Sequence, residues 1–255
     1  MRRIPAASYL TAIYLFFYIP IIVLIVYSFN KAQYSLVWHG FSMRWYYELF
    51  SDADLWIAVY HSLILGILAA TIAMCIGGLA AVCLYRYQFF GRKILYGLVF
   101  ILILSPDIVM GISLLILFSV VNISLGFLSL LLAHITFCIP FVVVTVYSRI
   151  VSFDQYIFEA AKDLGATDTL IFTRVILPLL WPALMAGWLL SFTLSLDDVI
   201  ISYFVAGPDF EILPLKIYSM VRLGVKPEIN ALCSVTFLLT LVLIILSQVI
   251  GRKKA

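Results

Sequence analysis

The sequence predicts an all-α polytopic membrane protein, and two observations carry that prediction. Of its 255 residues, 65% are hydrophobic and only 11% are charged, with a mean hydropathy of +1.15. A soluble domain of this length needs far more charge on its outside, so lipid is the remaining solvent. The apolar residues also gather in runs long enough to cross a bilayer as helices, which takes about 20 residues. Six runs qualify: 10–29, 58–84, 94–121, 125–147, 179–205 and 231–250. The expected organisation is a single transmembrane domain over 1–255, with a hydrophilic segment at 148–178.

The first run follows Arg2 and Arg3, as a secretory signal would. Its apolar stretch is too long for a signal core, and no small-residue cleavage site follows Phe29, so it reads as an uncleaved span. The second run and its successors hold Cys75, Cys83, Cys138 and Cys233, without metal-ligand spacing. They read as small packing residues, no metal site is expected, and His134 reads as a packed, hydrogen-bonded histidine.

The third run is interrupted by Ser105, Pro106 and Asp107. Proline removes a backbone donor and frees a carbonyl, which predicts a bend where the helix lines a cavity. A mid-bilayer charge costs roughly 2.5–3.5 kcal/mol on insertion scales, so Asp107 needs a partner or a polar path. Counted along a straight helix from Ile94, it lies about 20 Å into a ~30 Å hydrocarbon core.

In the fifth run Gly187, Ser191, Ser195 and Asp198 recur at i, i+4, i+8 and i+11. On one continuous helix the last three lie within about 60° of each other. That stripe suits close helix packing and path lining equally. Asp197 points about 100° away. Ordinary solvated charge at a helix end is the alternative for both aspartates.

Orientation follows from Lys and Arg in the connections. Arg2, Arg3, Arg86, Arg92, Lys93, Arg149, Lys162, Arg174, Arg252, Lys253 and Lys254 share one side; Lys31, Arg44, Lys216, Arg222 and Lys226 share the other. Both termini are therefore expected in the cytoplasm. The net charge of +3 reflects this topology rather than nucleic-acid binding.

The stretch "EAAKDLGATDTLIFTRVILP", 159–178, is wet between two apolar runs. It predicts a short helix ending at Gly165, which permits a left-handed turn. Thr167 or Asp168 then caps a second helix, stopped by Pro178. Leu170, Ile171, Val175 and Leu177 share one side of that helix. Such a segment lies in lipid headgroups or inserts into a partner's groove. Its few cations (Lys162 and Arg174 against Glu159, Asp163 and Asp168) favour a partner.

This stretch resembles the EAA loop of ABC importer permeases: Glu159, Ala160, Ala161, Gly165, Leu177 and Pro178 match, and Val175 stands where the pattern prefers Ile. "YIPIIVLIVYSFN", "LYRYQFFGRK", "SPDIVMGISLLILF", "HITFCIPFVVVTVYSRI", "GWLLSFTLSLDDVIISYFVAGP" and "EILPLKIYSMV" resemble spermidine/putrescine permeases of that superfamily. The resemblance implies a type I importer permease fold of six spans in a bacterial inner membrane. It implies coupling of Glu159, Ala160, Ala161, Gly165, Leu170, Val175, Leu177 and Pro178 to an ATPase. The implied partners are a sister permease, two ATPase subunits that bind ATP and Mg, an extracytoplasmic binding protein, and lipid. No cofactor or catalysis is expected in this chain, which has no P-loop.

No Lys or Arg falls within the six runs, so a path lined by Asp107, Ser191, Ser195, Asp197 and Asp198 favours a cation. Polyamines fit, because spaced ammonium groups meet carboxylates and aromatic faces alternately; Trp188, Tyr203 and Phe204 are the candidate faces. Thiamine or ferric iron on the same scaffold is the alternative. An ion-coupled carrier, which often shows paired interrupted spans, and an intramembrane protease, which needs two carboxylates sharing a proton, are the lesser alternatives: only the third run is plainly interrupted, and Asp107 and Asp198 lie on separate runs without a G-x-G-D context. Outside, Asp209 and Glu211 are expected at the binding-protein surface, where an interfacial helix is the competing reading. Trp38, Trp45, Tyr46 and Tyr47 stand in the other outer connection.

Overall fold

The computed structural model describes residues 3–32, 37–154, 156–222 and 227–252. Arg2, Lys226, Lys253 and Lys254, which entered the charge comparison, lie outside them. Helices form nearly all the described structure, with an isolated bridge between Asn30 and Phe41. The residues group into two compact units, 1–57 with 216–255, and 58–215.

In the first unit, α1 (Arg3–Tyr27) and α2 (Arg44–Ser51) pack on α12 (Pro227–Arg252). None of the apolar window within α1 is buried by the chain itself. The turn after α1 is fixed by side chains. Trp45 is buried and donates from Nε1 to the Asn30 carbonyl at 2.7 Å, and Tyr46 shares a 2.7 Å hydrogen bond with Ser28. Two of the four outer aromatics therefore brace the turn, while Trp38 and Tyr47 are exposed.

The second unit holds most of α3 (Ala53–Arg86), then α4 (Arg92–Leu104), α5 (Asp107–Val120), α6 (Phe127–Val151), α7 (Tyr156–Asp163) and α8 (Asp168–Ile171). A π-turn, Phe172–Ile176, leads into α9 (Leu177–Asp197); α10 (Ile200–Val205) and the start of α11 (Leu213–Arg222) follow. Lipid tails are as apolar as leucine, so close packing replaces the hydrophobic drive. Small residues allow it: Ala69, Ala70 and Ala73 are fully buried. A Cβ on Gly187 of α9 would lie 3.4 Å from Val142 of α6, an ordinary contact between tightly packed helices.

Four described helices are long and apolar enough to span a bilayer, and α4 with α5 makes a fifth if counted as one broken span. The sixth expected run falls in α12, whose side chains at 239, 240 and 242–250 lie outside the described residues.

Two expectations are corrected. The bend expected in the third run is present but breaks the run in two, with α4 and α5 meeting at 114° across Ser105 and Pro106. Depth counted along a straight helix therefore does not apply to Asp107. The fifth run is not one helix over 179–205 either. Helix runs unbroken from Asp168 to Asp197, through Pro178, and ends at Asp198, whose ψ of 123° is extended. Pro178 does not stop it because the π-turn precedes it; the Leu177 N–H bonds the Phe172 carbonyl five residues back. That wider turn gives a proline ring the room an α-turn denies it.

Candidate functional site

Two interruptions flank α9. The first is the elbow of α7 and α8. Here α7 ends in a Schellman turn, with the Ala166 N–H bonding the Ala161 carbonyl at 3.1 Å and the Gly165 N–H bonding that of Lys162 at 2.8 Å. Gly165 has φ +79°, and a Cβ there would meet no atom within 4 Å. The position is thus a glycine for its backbone rather than for space. The Thr167 hydroxyl caps α8, accepting the Leu170 N–H at 3.4 Å. Asp168 pairs with Arg86, the last residue of α3.

Of the expected coupling residues, Ala161, Val175 and Leu177 pack onto the core that buries Ile171 and Ile176. Glu159, Ala160, Gly165, Leu170 and Pro178 are exposed. Leu170 thus leaves the side expected for it, and Ile176 takes its place inward. Leu164, at 88% exposure, and Tyr156 add apolar surface to the outward side of the elbow. Grooves of about 430 and 550 Å³ run between it and the end of α3, both lined by Val82, Arg86, Tyr87, Asp168 and Ile176.

The second interruption lies between α9 and α10. Asp198 is only 8% exposed. Its Oδ1 accepts the Ile201 N–H at 3.1 Å, and its Oδ2 accepts the Ser202 N–H at 2.8 Å and the Ser202 hydroxyl at 2.7 Å. His134 of α6 reaches Ser202 Oγ from Nε2 at 2.9 Å and Ser195 Oγ from Nδ1 at 2.7 Å. Because Ser202 spends its proton on Asp198, its oxygen accepts from His134, which places the imidazole proton on Nε2 and lets Nδ1 accept from Ser195. His134, Ser195 and Ser202 are all buried. Nearby, Cys138 donates to the Ser191 carbonyl at 3.5 Å.

Within this chain Ser191 and Ser195 contact α6, and Asp198 is joined to it through Ser202. Gly187, Ser191 and Ser195 are buried in α9, and the break at Asp198 turns its carboxylate back onto the chain. Asp107, at the first turn of α5, and Asp197, at the last of α9, are exposed. Among the aromatic candidates, Tyr203 is exposed, Trp188 donates to Thr71 at 3.0 Å and stacks on Phe192, and Phe204 packs at Gly111. Asp209 is exposed and Glu211 half-buried. Their segment is pinned to α3: His61 stacks on Phe210 at 4.0 Å and bonds the Glu211 carbonyl, while Ser62 accepts the Leu213 N–H. The roles of Arg86 and His61 and the link from Ser202 to His134 escaped sequence reasoning, because those partners lie 82, 150 and 68 positions away and do not pair by spacing.

An all-helical chain with a Gly-hinged elbow feeding a long span matches a known class. Residues 73–253 match the family described as "Binding-protein-dependent transport system inner membrane component", and the chain belongs to that family. It is 55% identical over 252 residues to the spermidine/putrescine transport system permease protein PotC of Escherichia coli strain K12, covering 99% of this chain and 96% of that one. The Haemophilus influenzae PotC is 54% identical, covering 96% of each. The putrescine transport system permease protein PotI of E. coli is 43% identical over 226 residues, covering 86% of this chain and 80% of that protein. Among solved structures, a bacterial ABC transporter that imports alginate superposes with a TM-score of 0.74 at 17% identity, covering 98% of this chain and 95% of that chain. The MetNI methionine ABC transporter gives 0.63 at 20% identity, covering 80% and 96%. The fold is that of ABC transporter membrane subunits.

Proposed function

We propose that this chain is a membrane-spanning permease subunit of an ABC importer that carries spermidine and putrescine into the cytoplasm. The observation that carries the reading is identity above one half, over nearly the whole length, to spermidine/putrescine permeases. A sister permease completes the channel, a binding protein delivers the solute outside, and separate ATPase subunits supply the work and hold the ATP. Six spans with both termini in the cytoplasm complete the proposed topology.

The elbow at 159–178 is the proposed ATPase contact, supported by its exposed Glu159, Ala160, Leu164 and Leu170 around a left-handed Gly165. Asp107, Ser191, Ser195, Asp197 and Asp198 are the proposed path residues, with the exposed Asp107 and Asp197 meeting the ammonium groups in transit, because an exposed acid on an apolar helix needs a cationic partner or a polar path. Asp209 and Glu211 are proposed to lie at the binding-protein surface.

The test is reconstituted uptake of labelled spermidine, putrescine and thiamine by the full complex. ATP-dependent uptake of the two polyamines is expected. Uptake by this chain alone in liposomes, without a nucleotide-hydrolysing companion, would refute the proposal.

A further inference from the structure

We infer that His134 is a positioning residue for transport: through Ser202 and Asp198 it sets where the fifth span breaks, and so how the exposed Asp197 is presented. The inference rests on the importer reading.

The argument begins with the backbone. Where α9 ends, the N–H groups that open α10 have no helical carbonyl to bond. Buried in a membrane protein, each would be an expensive orphan. Asp198 takes the Ile201 and Ser202 N–H groups on separate oxygens. The Ser202 hydroxyl adds a third donor to Oδ2. Asp198 is thus committed to the chain's own backbone and is hidden from a passing solute.

What fixes this arrangement in space comes from another helix. His134 spans the break from α6, touching Ser195 before it and Ser202 after it, at 2.7 and 2.9 Å. One imidazole therefore measures the gap between the last turn of α9 and the first of α10. Asp197 immediately precedes that gap and points to the exposed side. The effect reaches further, because α10 packs on α5, where a Cβ at Gly111 would lie 2.8 Å from Phe204. Exposed Asp107 opens α5. Both exposed carboxylates therefore sit on elements whose placement depends on the buried histidine, although His134 itself is 1% exposed and touches no solute.

The experiment compares His134→Ala, Ser202→Ala and the double variant in the reconstituted complex, reading spermidine uptake per ATP hydrolysed, with ATPase co-purification alongside. Members of one hydrogen-bond chain are non-additive, so each single change is expected to lower uptake by about tenfold and the double no further. ATPase co-purification stays at the level of the unaltered chain. Multiplying losses in the double, or unaltered uptake in both singles, would overturn the inference, as would losses that merely track lost assembly. Should His134→Ala fail to assemble, Ser202→Ala decides alone, since it removes only the hydroxyl joining His134 to Asp198; normal uptake by it is the overturning result. Absence of ATP-dependent spermidine uptake by the unaltered complex would instead refute the importer reading.

Discussion

Helix α9 is entered through one interruption and left through another, and the two are built in opposite ways. The elbow before it depends on residues close in sequence: Gly165 turns the backbone, Thr167 caps the next helix, and most of the surrounding side chains are wet. The break after it adds, to the Asp198 cap on residues three and four positions away, a histidine 61 and 68 positions from its serine partners, with His134, Ser195, Asp198 and Ser202 all buried. A chain that changes direction in water needs only local chemistry, because solvent satisfies whatever backbone groups are left over. The same change inside a membrane needs side chains to stand in for that solvent.

If this contrast is right, the buried break is the more fragile to substitution. Asp198→Ala strands two backbone donors and the Ser202 hydroxyl at once, and each buried donor left unpaired costs about 1–3 kcal/mol. Thermal unfolding of the purified complex should show the largest loss of stability for this variant, with uptake abolished. A melting profile like that of the unaltered chain would erase the contrast.

The elbow should respond through coupling rather than through stability. Gly165→Val puts a β-branched residue into a left-handed conformation, at a cost of about 1–2 kcal/mol. Since open space surrounds the position, no steric clash adds to that cost. Normal membrane insertion with loss of spermidine uptake is expected. Gly165→Asn, which tolerates that backbone better, should retain more uptake. Equal uptake by both would remove the backbone argument.

The smallest effect is expected at Arg86, whose partner Asp168 is 66% exposed. Exposed ion pairs contribute about 0–1 kcal/mol, so Arg86→Ala should leave stability nearly unchanged. The exchange of both residues, Arg86→Asp with Asp168→Arg, should behave like the unaltered chain in uptake. A large loss in the single variant would place the elbow closer to the buried break in character than described.

The same contrast explains what the sequence made legible. The turn at Gly165 and the cap at Thr167 follow from single residues acting on their own neighbours, and both stand where the sequence placed them. Pro106 announced an interruption but not its 114° size, since a proline frees a carbonyl without saying what the chain does next. Pro178 misled, because a π-turn is a rearrangement of hydrogen bonds that no residue type announces. Asp198 looked like the end of a polar stripe because helical spacing assumes a continuous helix. Its partners are the N–H groups and the Ser202 hydroxyl that open α10, and the His134 that reaches Ser202 became visible only when α6 packed against the break. The family matched by residues 73–253 agrees with the resemblance carried by the elbow motif.

The π-turn has a mechanical consequence. By keeping the helix continuous past Pro178, it joins the elbow to the far end of the span as one lever of 30 residues. At 1.5 Å per residue such a lever is about 45 Å long, so swinging it through about 10° moves its tip by about 8 Å. The tip is Asp197. A push on the elbow of the kind proposed would thereby move that tip by about the width of an alkylammonium ion.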